Sequence, residues 1–253
     1  MTRNADPYCG ALAALKRICG GPSENVVIAK TIRENVAASE LRILDVGTGD
    51  GTACTKIAEQ ISEHKISSAI VGIDIRPQHR RPKTYSLVSY RFSRSDFMQF
   101  EAKYPFDVIL FRQSIYYLGN LNDVFRSARA KITTAGIIVV VCWNEGCILR
   151  RILSRIDALN PAIAIERETV LAAAISERLY LCAEETFLGE VDLSRARADA
   201  RSMILPLQVL LRGRPLSPSG YEAFQRFLRD KCSNIEMRQN SIIVLRIKHE
   251  AIA

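Results

Sequence analysis

Three glycines at alternate positions have the spacing that most directly indicates chemistry. Gly47, Gly49 and Gly51 lie in the segment LDVGTGDGT, after an apolar run and before a helical one. Glycine lets the chain turn sharply and lets a ligand approach the backbone without side-chain clash. The helix that follows offers unpaired N–H groups and the positive end of its dipole. Such a turn binds an adenosine-type cofactor or an anionic group.

An acidic residue supports this interpretation. Asp74 ends the next apolar run, 23 residues beyond Gly51. A carboxylate there can accept hydrogen bonds from both hydroxyls of a ribose, and each such charged bond contributes about 1.5–3 kcal/mol. It would repel the 2′-phosphate of NADP, although Arg76 and Arg80 lie nearby. The G-x-G-x-G spacing also differs from the G-x-G-x-x-G of dinucleotide sites. A tight turn without a ligand remains the alternative.

Strand-like and helix-like segments alternate from residue 41 onward. The predicted strands are Leu41–Val46, Ala69–Ile75, Ser86–Phe92, Phe106–Phe111 and Ile137–Trp143, and the predicted helices are Thr52–Ile61 and Leu121–Ile132. This alternation indicates crossover units and a mostly parallel sheet. Continuously apolar runs are typical of strands buried on both faces. Two later runs, Thr186–Leu193 and Ser241–Ile247, would close the sheet with an antiparallel edge strand.

We therefore predict an α/β fold with a Rossmann-like, doubly wound sheet of seven mostly parallel strands and helical lid elements. A single domain would span residues 1–253, since no linker composition divides the chain. Within it, residues 1–40 would form an N-terminal helical lid and 41–146 the cofactor-binding core. Residues 147–184 would form a helical insertion or lid, and 185–253 the closing strands and helix.

Composition narrows the class of protein. Apolar residues are 48% and charged residues 25%, as in soluble globular domains. No apolar stretch approaches the ~20 residues of a membrane helix, and Lys16 and Arg17 interrupt the N-terminal apolar run. We therefore expect a cytoplasmic protein without a membrane partner. Seven cysteines without a CxxC pair and three separated histidines predict neither a disulfide framework nor a metal site. The net charge of +8 leaves RNA open as a partner.

Four segments resemble the motifs of the class I S-adenosylmethionine-dependent methyltransferases. ILDVGTGDGT resembles the first motif, VGIDI the second, SRSDF the third and FDVILFRQSIYYL the fourth, in the same order across residues 41–143. The Lys-Pro-Gly-Gly turn common in that family is replaced here by TTAG at 133–136. The resemblance implies S-adenosylmethionine as cofactor, with S-adenosylhomocysteine as product, and the family's seven-stranded sheet with a reversed edge.

The resemblance also assigns cofactor contacts to residues at the strand ends. The glycine turn, with Thr48 and Asp50 between its glycines, would touch the methionine part, and Asp45 would fix the turn or meet the cofactor amine. Asp74 would hold the ribose hydroxyls, with Ile75 against the adenine. Asp96 would accept from the adenine amino group, with Phe97 nearby through its backbone. The segment Phe111–Ser114, including Arg112 and Gln113, would pass beside the methionine part.

Methyl transfer from a sulfonium requires alignment more than catalytic groups. Alignment can supply about 7–11 kcal/mol, and a general base is needed only for a poor nucleophile. The sequence therefore identifies no catalytic residue. In an open α/β sheet the acceptor lies beyond the carboxyl ends of the strands. The predicted acceptor-lining residues are Gln113, Tyr116 and Tyr117 after the fourth strand, Trp143 at the end of the fifth, and Tyr8 in the N-terminal segment.

Absent motifs restrict the acceptor. Neither Asn-Pro-Pro-Tyr nor Asp-Pro-Pro-Tyr follows the fourth strand, which argues against methylation of base amino groups. No Pro-Cys or Thr-Cys pair occurs, which argues against cytosine C5 methylation through a thiolate. A small-molecule methyltransferase is the favoured function. An RNA methyltransferase, an NAD-dependent oxidoreductase and a non-catalytic cofactor-binding module remain alternatives, and the sequence leaves the oligomeric state open.

Overall fold

The computed structural model describes residues 23–78, 82–83, 85–156, 165–204, 206–207 and 216–248, together with 11, 14, 15, 17–20 and 211. The chain forms two compact units. The core unit comprises Ser23–Cys142, Ile165–Thr186 and Ser241–Ala253. The accessory unit comprises Met1–Pro22, Trp143–Ala164 and Phe187–Asn240. The predicted division of a single domain into lids, core and closing strands stays a prediction.

Eight strands and seven α-helices have bounds within the described part of the chain. In chain order they are β1 (Cys19–Gly20), α1 (Glu24–Asn35), β2 (Glu40–Val46), α2 (Thr52–Ser62), β3 (Ser67–Asp74), β4 (Val88–Arg94), β5 (Phe106–Arg112), α3 (Leu121–Lys131), β6 (Ile132–Trp143), α4 (Ile148–Ile156), α5 (Arg167–Ser176), β7 (Leu179–Asp192), α6 (Ser194–Ala198), α7 (Pro218–Lys231) and β8 (Ile235–Ile247). Short 3₁₀ turns cover Ile115–Tyr117 and Ala200–Met203.

The strands form one sheet in the order β1-β7-β8-β6-β5-β2-β3-β4. Strands β2 to β6 are parallel to their neighbours within this run. Of the seven longer strands six are parallel and one is antiparallel, so the antiparallel strand is β7 or β8. The predicted Rossmann-like sheet of seven mostly parallel strands is confirmed. The two-residue β1 is an addition that pairs antiparallel with β7.

The central strands are apolar because both faces of the sheet are covered. Ile43 and Leu44 of β2, Val108–Phe111 of β5 and Ile137–Val141 of β6 have no exposed surface. Burial of this kind leaves no polar alternation, which is why the sequence shows continuous apolar runs there.

The strand order fixes where a ligand can bind. The chain builds β3 and β4 on one side of β2, and β5 and β6 on the other. The direction of winding therefore reverses between β2 and β5. A crevice opens at such a reversal, outside the carboxyl ends of the strands. The glycine turn that follows β2 lies at this edge of the sheet.

Three sequence predictions about secondary structure are wrong. Residues 147–184 were expected to be helical throughout, but β7 already begins at Leu179. Helix α5 ends because Arg178 has a left-handed φ of 60°, which an α-helix cannot continue. Strand β8 also begins earlier than expected, at Ile235. These two strands carry many charged, partly exposed side chains, so their apolar signal is weak. Cys19, expected in a helix, forms part of β1.

Candidate functional site

The turn after β2 is held by its own backbone. Gly47, Gly49 and Gly51 have φ values of +73°, +60° and +74°, in the region that favours glycine. The N–H groups of Gly47 and Thr48 both donate to the carbonyl of Ile73, at 2.9 and 3.0 Å. The N–H of Gly51 donates to the carbonyl of Thr48 at 3.0 Å. The turn is therefore tied to the end of β3 as well as to itself.

The three glycines differ in their surroundings. A Cβ added to Gly47 would lie 2.7 Å from the Cβ of Ser114, and one added to Gly51 would lie 2.6 Å from Tyr90 Oη. A Cβ added to Gly49 would meet no described atom within 4 Å. Packing thus requires glycine at Gly47 and Gly51, whereas Gly49 faces open space that a ligand can enter.

Asp74 faces the turn. Its Oδ2 accepts a hydrogen bond from the N–H of Gly49 at 3.0 Å, and its Oδ1 accepts one from the N–H of Arg76 at 2.9 Å. A carboxylate has about four acceptor sites, so the group retains capacity for two hydroxyls. Ile75, the next residue, has 64% of its surface exposed. The structure thus places an acceptor and an apolar face side by side next to Gly49.

Asp45 is buried and bonded to the turn. The hydroxyl of Thr48 donates to Asp45 Oδ2 at 2.6 Å and lies 3.3 Å from Tyr90 Oη. Burial raises the pKa of the Asp45 carboxyl to about 6, although the hydrogen bond from Thr48 and the charge of Arg112 act in the opposite direction. Of its two predicted roles, fixing the turn has a visible contact.

Asp50, the remaining polar residue of the turn, bonds to the first residue of the following helix. Asp50 Oδ1 accepts a hydrogen bond from the N–H of Thr52 at 3.0 Å. Thr52 is the first residue of α2, so Asp50 satisfies one of the free N–H groups that a helix start exposes.

The end of β5 carries unusual side chains. Arg112 Nε lies 3.2 Å from Oε2 of Glu24, whose side chain is only 4% exposed. Gln113 has a φ of +56°, uncommon for a residue other than glycine. Its Oε1 is buried, as is the Oγ of Ser114, and neither receives a hydrogen bond from any residue that the structure describes. Strained backbone and unsatisfied acceptors cluster at functional sites.

The residues after β4 form a turn. Asp96 is exposed, and its Oδ1 accepts a hydrogen bond from the N–H of Met98 at 2.8 Å. The ring of Phe97 is buried edge-on against Phe111, with centroids 5.3 Å apart. The Phe97 side chain therefore packs in the core, and the cofactor contacts of Phe97 and Asp96 remain predictions.

Comparison with known proteins identifies the family. A family model described as a methyltransferase domain matches residues 37–181, more than half of the chain. The chain belongs to this methyltransferase family. The resemblance to class I S-adenosylmethionine-dependent methyltransferases is confirmed, and S-adenosylmethionine as the cofactor with it. None of the curated proteins matches the chain.

Solved structures of low sequence identity share the fold of this methyltransferase. An S-adenosylmethionine-dependent methyltransferase from Geobacter sulfurreducens, in complex with S-adenosylhomocysteine, has a TM-score of 0.55 and 13% identity, over 98% of this chain and 100% of that one. One from Thiobacillus denitrificans, with the same ligand, has a TM-score of 0.52 and 15% identity, over 90% and 92%. The [4+2]-cyclase SpnF has a TM-score of 0.55 and 17% identity, over 96% and 93%. The fold alone therefore does not define the reaction.

The predicted acceptor residues of the methyltransferase fall into three groups. Gln113, Tyr116 and Tyr117 lie together in the core unit, where the two tyrosine rings meet edge to face at 6.3 Å. Tyr116 is buried and Tyr117 is 44% exposed. Trp143 ends β6 and belongs to the accessory unit. Tyr8 lies outside the described residues.

Two residues of the site were not among the residues predicted from the sequence. Tyr90 supports the turn through Thr48 and accepts a hydrogen bond from Gln78 Nε2 at 2.9 Å. The available signal was Gly72 in the interior of β3, because a Cβ there would collide with Tyr90 Oη. Glu24 gave no signal, since an acidic residue in the first turn of a helix is ordinary.

The described segments contain no helix that is both long and apolar enough to span a bilayer. They also contain no group of three or more His, Cys, Asp or Glu side chains arranged to hold a metal ion.

Proposed function

We propose that the protein transfers a methyl group from S-adenosylmethionine to a small-molecule acceptor by direct displacement. The observation that carries this proposal is the left-handed turn at Gly49, which is open to a ligand and bonded to Asp74. The residues present fit the cofactor, because an open backbone, a free acceptor capacity and an exposed apolar face adjoin one another. The unsatisfied Gln113 Oε1 adds a buried acceptor for a ligand N–H group.

The cofactor contacts follow from these positions. Asp74 accepts hydrogen bonds from the ribose hydroxyls while its bonds to Gly49 and Arg76 keep the carboxylate in place. Ile75 covers one face of the adenine, and the second oxygen of Asp96 accepts from the adenine amino group. Arg112 and Gln113 hold the methionine part. Asp45 keeps the turn in shape through Thr48.

Bound S-adenosylmethionine supplies a methyl group on a positively charged sulfur, so the protein needs no group to activate the donor. The side chains at the end of β5 orient the acceptor instead. Gln113, held in a left-handed conformation, fixes the backbone that leads to Tyr116 and Tyr117. Tyr117, which is 44% exposed, would orient an acceptor by a hydrogen bond from its hydroxyl, while the buried Tyr116 packs. Orientation of this kind supplies about 7–11 kcal/mol.

The charge distribution supports a small acceptor. The core unit, which holds the turn, contains 20 Lys and Arg residues against 18 Asp and Glu residues. A nearly balanced charge gives no general attraction for a polyanion. The missing base-methylation motifs point in the same direction.

RNA is the second candidate acceptor, and one observation favours it. The accessory unit contains 15 basic residues, 13 of them arginine, against 9 acidic residues. Most of the net charge of the chain therefore lies in 98 residues. A methyltransferase acting on RNA would use such a surface to contact phosphates.

Transfer of label from methyl-labelled S-adenosylmethionine into fractionated metabolite and RNA pools tests the proposal. We expect label in the metabolite fraction, and much less there with the Asp74→Asn variant. Label in RNA alone would favour the second candidate. Binding of S-adenosylmethionine without transfer to either pool would indicate a non-catalytic module. Preferential binding of NAD in calorimetry would contradict the methyltransferase function.

We also propose a cytoplasmic location and a single domain in which residues 1–40 and 147–184, apart from the parts that form β1 and β7, act as lids. Cys54, Cys147, Cys182 and Cys232 are free thiols, which fits a reducing compartment. Limited proteolysis with and without S-adenosylhomocysteine tests the lids. We expect the ligand to protect bonds within these two segments and not in an exposed loop such as the one around Lys103.

A further inference from the structure

A buried ion pair joins α1 to the end of β5. Glu24 is the first residue of α1, and its carboxylate lies 3.2 Å from Arg112 Nε. The exposed fractions of the two side chains are 4% and 27%. Removing a carboxylate from water costs several kcal/mol that an ion pair offsets only when its geometry is good. The contact is an ion pair and not a hydrogen bond, because the buried Arg112 Nε has no hydrogen-bond partner among the described residues.

Arg112 also acts on a second buried acid. Its positive charge lowers the pKa of Asp45, which burial raises. The guanidinium thus lies within electrostatic range of two buried carboxylates, Glu24 and Asp45. One of them supports the glycine turn, and the other comes from a helix that precedes the matched family segment, residues 37–181.

The geometry of Arg112 leaves donors for a ligand. A guanidinium carries five N–H donors in a planar fork. The Nε side of this fork faces Glu24. Gln113, the next residue, carries a buried Oε1 to which no described residue donates. Donor and acceptor groups are thus adjacent in the segment proposed to meet the methionine part of the cofactor, which carries a carboxylate and an ammonium group.

We propose that Glu24 is a positioning residue for the amino-acid end of the cofactor. Its carboxylate attracts the guanidinium of Arg112 and so orients it, and the two Nη groups of Arg112 then meet the α-carboxylate of the ligand. This inference rests on the proposed function. It makes cofactor affinity depend on α1, a helix outside the glycine turn.

The affinities for two ligands distinguish positioning of Arg112 by Glu24 from a general structural effect of the substitution. S-adenosylhomocysteine carries the amino-acid part, whereas 5′-methylthioadenosine has the same nucleoside and thioether without it. In calorimetry, Glu24→Gln should weaken the binding of S-adenosylhomocysteine about tenfold or more, a change of about 1.4 kcal/mol. The same substitution should change the affinity for 5′-methylthioadenosine less than about twofold. Glu34→Gln is the matched control, because Glu34 lies on the same helix, is 53% exposed and pairs with Lys30.

Arg112→Lys provides a second variant that keeps the positive charge beside Glu24 and removes the planar fork. This variant should also lose affinity for S-adenosylhomocysteine and keep its affinity for 5′-methylthioadenosine. Equal weakening of both ligands in the two variants, or no weakening of either, would overturn the inference. A wild-type protein that binds neither ligand would instead contradict the proposed function. If Glu24→Gln does not fold, the Arg112→Lys result decides.

Discussion

Charged residues that support the glycine turn of the core unit differ in burial from an ion pair of the accessory unit. The groups that support the turn are buried, since Glu24, Asp45 and Thr48 are each less than a tenth exposed. In the accessory unit the ion pair between Arg229 and Asp230 leaves the side chains 75% and 50% exposed. Buried polar groups must be matched in geometry, whereas exposed pairs contribute little to stability. Position therefore decides whether a charge shapes a site or only adds to the net charge.

The accessory unit has its own distinctive feature. A cavity of about 630 Å³ lies within it, lined in part by Arg197, Arg229, Gln225 and Asn234. Arg197 already donates to Asn234 Oδ1 at 3.0 Å. Most of this unit lies outside the family segment 37–181. We therefore expect cofactor binding to respond to substitutions in the core unit and not to substitutions at this cavity.

The largest expected effect concerns folding of the turn. Gly47→Ala should lower the free energy of unfolding by about 2–5 kcal/mol, because strain at positive φ costs about 1–2 and overpacking about 1–3. Gly49→Ala is the matched control and should cost only about 1–2 kcal/mol, since its Cβ meets no described atom. Urea unfolding measures both variants. Equal losses would show that the contact with Ser114 does not matter.

The second prediction concerns the pH dependence of stability. The pKa of Asp45 is raised from 3.8 to about 6 in the folded protein, so the folded state binds more protons than the unfolded state between these values. Its contribution to stability is therefore lost as pH rises from 4 to 6. Asp45→Asn lacks this loss and keeps an acceptor for Thr48. Relative to wild type, the variant should gain on the order of 3 kcal/mol between pH 4 and pH 7.

Unfolding curves at several pH values measure this difference. Thr48→Val is a useful companion, because it removes the hydroxyl but leaves the carboxyl that titrates. A difference between Asp45→Asn and wild type that stays constant with pH would contradict the raised pKa.

The third prediction concerns affinity for the cofactor product. Asp74→Asn should weaken the binding of S-adenosylhomocysteine about tenfold to a hundredfold, since at least one charged hydrogen bond that contributes about 1.5–3 kcal/mol is lost. The amide oxygen can still accept from Gly49, which preserves the turn. Asp230→Asn, in the accessory unit, removes an equal charge and should leave the affinity unchanged. A similar loss in both variants would indicate a nonspecific effect of charge.

The smallest effect is expected at the cavity of the accessory unit. Exchange of Arg197 and Arg229 for Gln should change the affinity for S-adenosylhomocysteine less than about twofold. Filter binding of wild-type protein to RNA should detect no tight complex. An RNA affinity that falls linearly with salt on logarithmic axes, with a shallower slope in the double variant, would favour the RNA candidate.

Much of the fold was predictable because the central strands carry an unambiguous signal. The predicted Phe106–Phe111 and the observed β5 differ only at Arg112, since every residue of that run except Asp107 is apolar. Strand β7 was predicted seven residues too late because its first half is only partly buried. A strand with one half-exposed face shows no continuous apolar run, so its limits depend on neighbours that the local sequence does not contain.

The residues of the site also fall into those that the sequence could locate and those that it could not. The glycine turn and Asp74 could be located from spacing, because strand, turn and helix follow one another within a short segment. Tyr90 and Glu24 could not, because they reach the site across the sheet and from a helix that precedes it. Their positions depend on parallel pairing of β3 with β4 and on the packing of α1.

The sequence by itself determined the fold class, the family and the carboxylate beside the turn, because these depend on residues close together in the chain and on their periodicity. Only the tertiary structure decided which glycine is open to a ligand, that Asp45 is buried with a raised pKa, and that Glu24 pairs with Arg112. Burial and pairing arise between segments far apart in the chain, and no local pattern encodes the distance between them.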